Sequence, residues 1–147
     1  LSNDNYLPRS LLASHNILKQ IERAEFLCAA LGGLINDFFS FEKEVLDAES
    51  DFNVIPLYAQ NYDLSLECAI IESAEYTNQS YEEYKQVTQE IYDCPLPQDL
   101  KNKVDTHIQC LDDSNRAVWV WQIETERYLR DESIFHEIRR ENYKSTG

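Results

Sequence analysis

Asn36, Ser40 and Glu44 recur at intervals of four within a long run of helix-forming residues. At 3.6 residues per turn that spacing keeps all three on one helix face, with about 6 Å of axial rise between neighbours. Side chains lean toward the helix N-terminus, so the long Glu44 reaches back toward the shorter hydroxyl and amide. Amide oxygen, hydroxyl oxygen and carboxylate make a hard, all-oxygen donor set with one formal negative charge. Mg²⁺ takes such donors and keeps waters and phosphate oxygens as its other ligands. The chemistry open to this stripe is to hold Mg²⁺ on a diphosphate. A polar stripe is also what an amphipathic helix turns to water, and the three residues alone leave both readings standing.

The surrounding run, Asn36-Asp37-Phe38-Phe39-Ser40-Phe41-Glu42-Lys43-Glu44, meets every position of the pattern NDxxSxxKE. In that it resembles the Asn/Ser/Glu metal-binding motif of class I terpene synthases in its microbial form. A later stretch, Trp121-Gln122-Ile123-Glu124-Thr125-Glu126-Arg127-Tyr128, resembles the WxxxTxRY signature near the C-terminus of the same family. There the Arg-Tyr pair hydrogen-bonds the substrate diphosphate. The residue types suit that task, because arginine offers forked donors to phosphate oxygens and tyrosine adds a hydroxyl. Taken alone, Arg127 beside a neighbouring glutamate is an ordinary surface ion pair.

The resemblance implies an all-α fold, the C-terminal part of a class I terpenoid synthase helical bundle. It implies a Mg²⁺-dependent terpene synthase, a carbon–oxygen lyase acting on phosphates. Such an enzyme ionises a linear prenyl diphosphate, with farnesyl diphosphate the expected substrate, and cyclises the carbocation. Asn36, Ser40 and Glu44 would be the metal ligands. Lys43, Arg127 and Tyr128 would bind the substrate diphosphate, with Arg127 and Tyr128 the catalytic pair that stabilises departing pyrophosphate. Chain-elongating prenyl synthases fit less well, since they carry a second aspartate-rich motif in place of the Asn/Ser/Glu set.

One family motif has no counterpart. The aspartate-rich DDxxD/E expected upstream of Asn36 is missing, and the Asp112-Asp113 pair lies downstream, followed by Ser114-Asn115-Arg116. The family's diphosphate-sensing arginine would fall before Leu1. Residues 1–147 are therefore expected to form the C-terminal portion of a terpene synthase domain. Its expected partners are a prenyl diphosphate and the missing N-terminal half, and a homodimer is compatible with the sequence. The alternative is a non-catalytic, acidic helical interaction module or an inactive synthase fragment.

Composition narrows the classes further. With 27 acidic and 13 basic residues the net charge is −14, which argues against nucleic acid or an anionic membrane as partner. No signal peptide and no apolar stretch of transmembrane length is read, so a cytoplasmic location is expected. Cys28, Cys68, Cys94 and Cys110 form no CxxC pair and read as buried free thiols. His15, His107 and His136 lack metal-binding spacing.

The elements that would position these residues are long helices, since 3 glycines and 4 prolines leave little material for turns. Pro8 opens a short helical turn through Leu11 and Leu12, and Ser14 is the expected cap of the next helix. That helix spans residues 15–47, burying Ile17, Leu18, Ile21, Ala24, Leu27, Cys28 and Leu31. It is expected to run unbroken through Gly32-Gly33, whose missing side chains would admit a ligand or a facing helix. Residues 47–63 read as a connection. A second helix spans 65–93, capped by Asp63 or Ser65, with Leu66, Ala69, Ile70, Ala74, Tyr81, Tyr84, Val87 and Ile91 on its apolar face. Pro95 and Pro97 end it. A third spans 98–124, turning Leu100, Val104, Ile108, Leu111, Val118 and Trp121 inward. Phe38 and Phe39 read either as core or as lining of a hydrocarbon pocket.

Overall fold

Residues 7–125, 132–135 and 139 are described by a computed structural model. Its elements are helical throughout: α1 (Arg9–Ser14), α2 (Leu18–Phe41), a π-helical continuation of α2 (Glu42–Asp47), α3 (Val54–Tyr62), α4 (Leu66–Asp93) and α5 (Gln98–Glu124). The expected all-α class is what the chain adopts.

Ser14 does not cap α2. It closes α1, and its hydroxyl donates back to the Leu11 carbonyl at 2.7 Å. Asn16 then takes the left-handed conformation, at φ 57°. Asn16 N–H bonds the Ala13 carbonyl and Ile17 N–H the Leu12 carbonyl, each at 3.0 Å. This is a Schellman ending, with the buried pair Leu12 and Ile17 as its apolar contact. Asparagine tolerates the left-handed region better than most residues, which explains the breakpoint.

The connection expected over residues 47–63 contains a helix of its own, α3. Asn53 caps it, its Oδ1 accepting from Ile55 N–H at 3.0 Å. Pro56 sits in the first turn, where a missing N–H leaves no intrahelical bond unmade. Asp63 ends α3 in the left-handed region at φ 52°, and the Ser65 hydroxyl accepts from Cys68 N–H at 3.2 Å to start α4.

The chain divides into two units, one comprising Leu1–Leu31 with Gln79–Asn115 and the other Gly32–Asn78 with Arg116–Gly147. Helices α2, α4 and α5 each contribute a part to both. In the first unit, Ile17, Ile21, Ala24, Leu27 and Leu31 form a stripe at helical spacing. They join Leu12, Tyr84, Ile91, Leu100, Val104 and Ile108 in one continuous core. Burying each large aliphatic chain there contributes roughly 1.5–3 kcal/mol.

In the second unit the buried apolar residues fall into two small clusters. Phe39 packs with Ile35, Ile123 and Phe135. Phe41, Ile55 and Ala69 gather Phe38, Val45, Tyr58 and Ile70. Several sequence expectations fail at the periphery: Trp121, Tyr81 and Leu66 are exposed. All four cysteines are free, but Cys68 and Cys110 are exposed rather than buried. Leu66 is the first residue of α4, where a helix end leaves even an inward-facing side chain open to solvent.

The stretch Leu18–Asp47 is long and apolar enough to cross a membrane by length and composition, contrary to the expectation that no such stretch exists. Its N-terminal apolar residues are the ones that build the first unit's core. Gly32 and Gly33 pass through α2 without breaking it, as expected. Among the described residues no neighbour takes advantage of them, since a Cβ at either position would meet nothing within 4 Å.

Candidate functional site

The Asn/Ser/Glu stripe straddles a change of helix type. Asn36 and Ser40 occupy the last turns of α2, while Glu44 lies in the π-helical stretch. The wider i→i+5 pairing of a π turn does not separate Ser40 from Glu44. Ser40 is fully buried, and its hydroxyl donates to Glu44 Oε2 at 2.8 Å. Asn36 is half-buried and engages α5, its Oδ1 accepting from Gln122 Nε2 at 3.0 Å. Gln122 is itself buried, and its Oε1 has no hydrogen-bond partner among the described residues. A buried amide oxygen left unpaired is uncommon and marks a place where a further polar group would be welcome.

Asp37, the second residue of the motif, builds the scaffold under this stripe. Its Oδ2 accepts from Val54 N–H at 2.8 Å, at the start of α3. Its backbone carbonyl accepts from Asn53 Nδ2, also at 2.8 Å. Asp37 thereby pins the N-terminus of α3 to α2, where a carboxylate also meets the positive end of the helix dipole. Burial pushes its carboxyl above the ordinary range and Glu44 pushes the same way, while the Val54 N–H opposes them.

Glu42 was unremarked in the sequence. It is 4% exposed, with both carboxylate oxygens engaged by Ser133 and Ile134. Lys43 is exposed. Arg127 and Tyr128 lie outside the described residues. The structure thus brings Ser40 and Glu44 into direct contact and sets Asn36 against Gln122 of α5.

Among the described residues no three His, Cys, Asp or Glu side chains are grouped to hold an ion. A metal centre built from them has to recruit neutral oxygens, which Asn36 and Ser40 possess.

The second unit also carries a cavity of about 200 Å³ that opens partly to the surface. Ile35, Phe38, Phe39, Ala74, Trp119 and Phe135 make its apolar wall, with Thr77 and Asn78 as its polar members. Phe38 meets Phe135 edge-to-face at 6.3 Å and 88°, and Phe39 meets Trp119 at 5.5 Å and 78°. Phe38 and Phe39 therefore both pack with neighbours and line the cavity. Trp119 belongs to the same wall.

Comparison with known families gives a match. A family model described as terpene synthase family 2, C-terminal metal binding, covers residues 2–83. The matched span contains the whole NDxxSxxKE run and ends inside α4. No curated protein matches the chain, and neither does any solved structure. With more than half its length matched and the matched motif set on a helical scaffold, the chain belongs to the terpene synthase family 2 C-terminal metal-binding family.

Proposed function

We propose that this chain is the C-terminal metal-binding portion of a terpene synthase that ionises a linear prenyl diphosphate and cyclises the resulting carbocation. The observation that carries the metal assignment is the Ser40–Glu44 contact. Mg²⁺ holds oxygens at about 2.1 Å, so two adjacent corners of its octahedron are about 3.0 Å apart. The 2.8 Å between Ser40 Oγ and Glu44 Oε2 is close to that edge. A serine hydroxyl rotates freely enough to turn its proton away and present a lone pair instead. The unpaired Gln122 Oε1, on the amide that holds Asn36, would accept a hydrogen bond from a polar group bound beside Asn36.

Asn36, Ser40 and Glu44 would hold the ion, with Gln122 fixing the Asn36 amide and Asp37 fixing the backbone between them. When bound, Mg²⁺ supplies positive charge that favours departure of the diphosphate. Lys43, Arg127 and Tyr128 would donate to the diphosphate oxygens and stabilise the leaving anion. The aromatic wall would receive the hydrocarbon chain, exclude water from the cation and offer ring faces to positive charge. Farnesyl diphosphate is the substrate we favour. The net charge of −14 makes nucleic acid an unfavourable partner.

Calorimetry with Mg²⁺ and inorganic pyrophosphate tests the assignment on this chain. Wild type should bind the pair, and Glu44→Ala and Asn36→Ala should each weaken binding at least tenfold. Equal binding by wild type and Glu44→Ala would refute the metal role.

A further inference from the structure

Glu42 has no task in the reaction outlined above, yet it is among the best-held side chains of the second unit. On a helix, residues two apart face different directions, so Glu42 turns away from the side shared by Ser40 and Glu44. Its Oε2 accepts from the Ser133 hydroxyl at 2.5 Å and its Oε1 from Ile134 N–H at 3.0 Å. The Ser133 hydroxyl also accepts from Phe135 N–H at 2.9 Å, and Arg139 Nε donates to the Ser133 carbonyl at 2.8 Å. A carboxylate is costly to bury unless its oxygens are paired, and here both are paired with one short segment distant in sequence. Phe135, the next residue in that segment, lines the cavity and meets Phe38 edge-on.

We propose that Glu42 is a positioning residue that fastens residues 133–135 and seats Phe135 as a wall of the apolar cavity. By holding that ring in place it sets the length of hydrocarbon the cavity accepts. The consequence for chain length rests on the prenyl diphosphate reading. The seating of Phe135 does not.

The geometry distinguishes Glu42 from an ordinary buried ion. Its two bonds end on a hydroxyl and a backbone N–H rather than on a cation, so they fix the path of a backbone segment more than they neutralise charge. Glutamine can keep the Ile134 bond through its carbonyl and donate to the Ser133 hydroxyl through its amide. Alanine can do neither.

Hydrogen exchange on the whole chain tests the seating. In Glu42→Ala the Ile134 and Phe135 amides should exchange at least tenfold faster, while Val104 and Ile108 in the first unit keep their wild-type rates. Glu42→Gln should restore most of the protection. If Glu42→Ala does not fold, Ser133→Ala removes one of the two bonds to Glu42 and should speed exchange at both Ile134 and Phe135, and unchanged exchange at Ile134 there overturns the proposal. Chain-length preference is read from Trp119 fluorescence in a Trp121→Phe background, titrating linear prenyl diphosphates of increasing length with Mg²⁺. Glu42→Ala and Phe135→Ala should shift the preference toward longer chains by a similar factor, several-fold, and the double variant should shift it no further. Unchanged exchange at Ile134 in Glu42→Ala overturns the proposal. So does a preference that moves with Phe135→Ala and not with Glu42→Ala. If no prenyl diphosphate binds but the amides still loosen, the reading of the cavity falls and the seating of Phe135 stands.

Discussion

The two units solve the burial problem with different materials. The first closes a single core from Leu, Ile, Val and Ala, with Tyr84 its one buried aromatic among the described residues. The second splits its apolar residues into small clusters rich in phenylalanine, buries Ser40, Glu42, Asn53, Ser73 and Gln122, and keeps an apolar cavity. A continuous aliphatic core is the efficient way to gain stability, since its side chains fill one another's contacts, and the polar residues buried around it, Ser80 and Thr88, are few. Open space and buried polar atoms forgo some of that stability, and they are where a binding site can be built. The family motif and the cavity both fall in the second unit.

The contrast can be broken most forcefully in the first unit. Ile108→Ala or Ile21→Ala should each lower unfolding free energy by about 2–5 kcal/mol, measured by urea denaturation, because a close-packed core cannot collapse around the gap. Phe135→Ala, which enlarges an existing cavity, should cost less than either. A larger loss from Phe135→Ala would mean that the second unit is the better packed.

Next in size is the effect confined to the site. Glu44→Ala should weaken binding of Mg²⁺ with pyrophosphate by about 1.5–3 kcal/mol, the usual worth of a contact to a charged group. Its urea midpoint should stay near wild type. A large stability loss with unchanged binding would make Glu44 a structural residue and blur the division.

Alkali should act on the first unit. Burial, followed by its 2.6 Å hydrogen bond to Asp112, raises the Tyr84 hydroxyl well above the ordinary tyrosine value of 10.0. Burial and Asp112 raise the Cys28 thiol above 9.0. Both groups keep their protons longer when folded than when unfolded, so the folded state holds more protons in this range and stability falls as pH rises. The stability they contribute is complete below pH 9.0 and declines as pH climbs past 9.0 for Cys28 and 10.0 for Tyr84. Urea midpoints taken between neutral and strongly alkaline pH should show that decline, and Tyr84→Phe should flatten its upper part.

The smallest effect sharpens the comparison at its boundary. Gly33→Ala adds a methyl group that meets no neighbour among the described residues, so it should stabilise α2 by about 0.5–1 kcal/mol in thermal unfolding. If binding of a prenyl diphosphate falls in the same variant, that open space serves the ligand.

Much of the scaffold was legible from periodicity. The span 98–124 is the observed α5, and in the stripe from Ile17 to Leu31 the residues Ile17, Ile21, Ala24, Leu27 and Leu31 are buried, with Leu18 and Cys28 half-buried. Both are long, strongly patterned segments in which local preference and burial agree. The misses had different causes. Helix α3 was hidden because Pro56 reads as a breaker, although the first turn of a helix accepts it. The α1–α2 turn was misassigned because Ser14 looks like a cap while Asn16, in the left-handed region, makes the break. At the site, the Ser40–Glu44 contact followed directly from i,i+4 spacing. Glu42 did not, since a glutamate on a helix reads as solvated and its partner Ser133 stands far along the chain. Tertiary pairing of that kind leaves no local pattern.

Asp37 changes how inheritance of the motif is to be read. It stands beside Asn36 in the family signature, but its carboxylate holds the first N–H of α3. Selection for a working site would preserve Asn36 and Asp37 together for separate reasons, one as an oxygen donor and the other as a splice between two helices. An inactive Asp37→Ala enzyme would then be a mechanical casualty, identified by loss of helix content around Val54. Replacement by asparagine, whose side-chain oxygen can still accept that N–H, should rescue it.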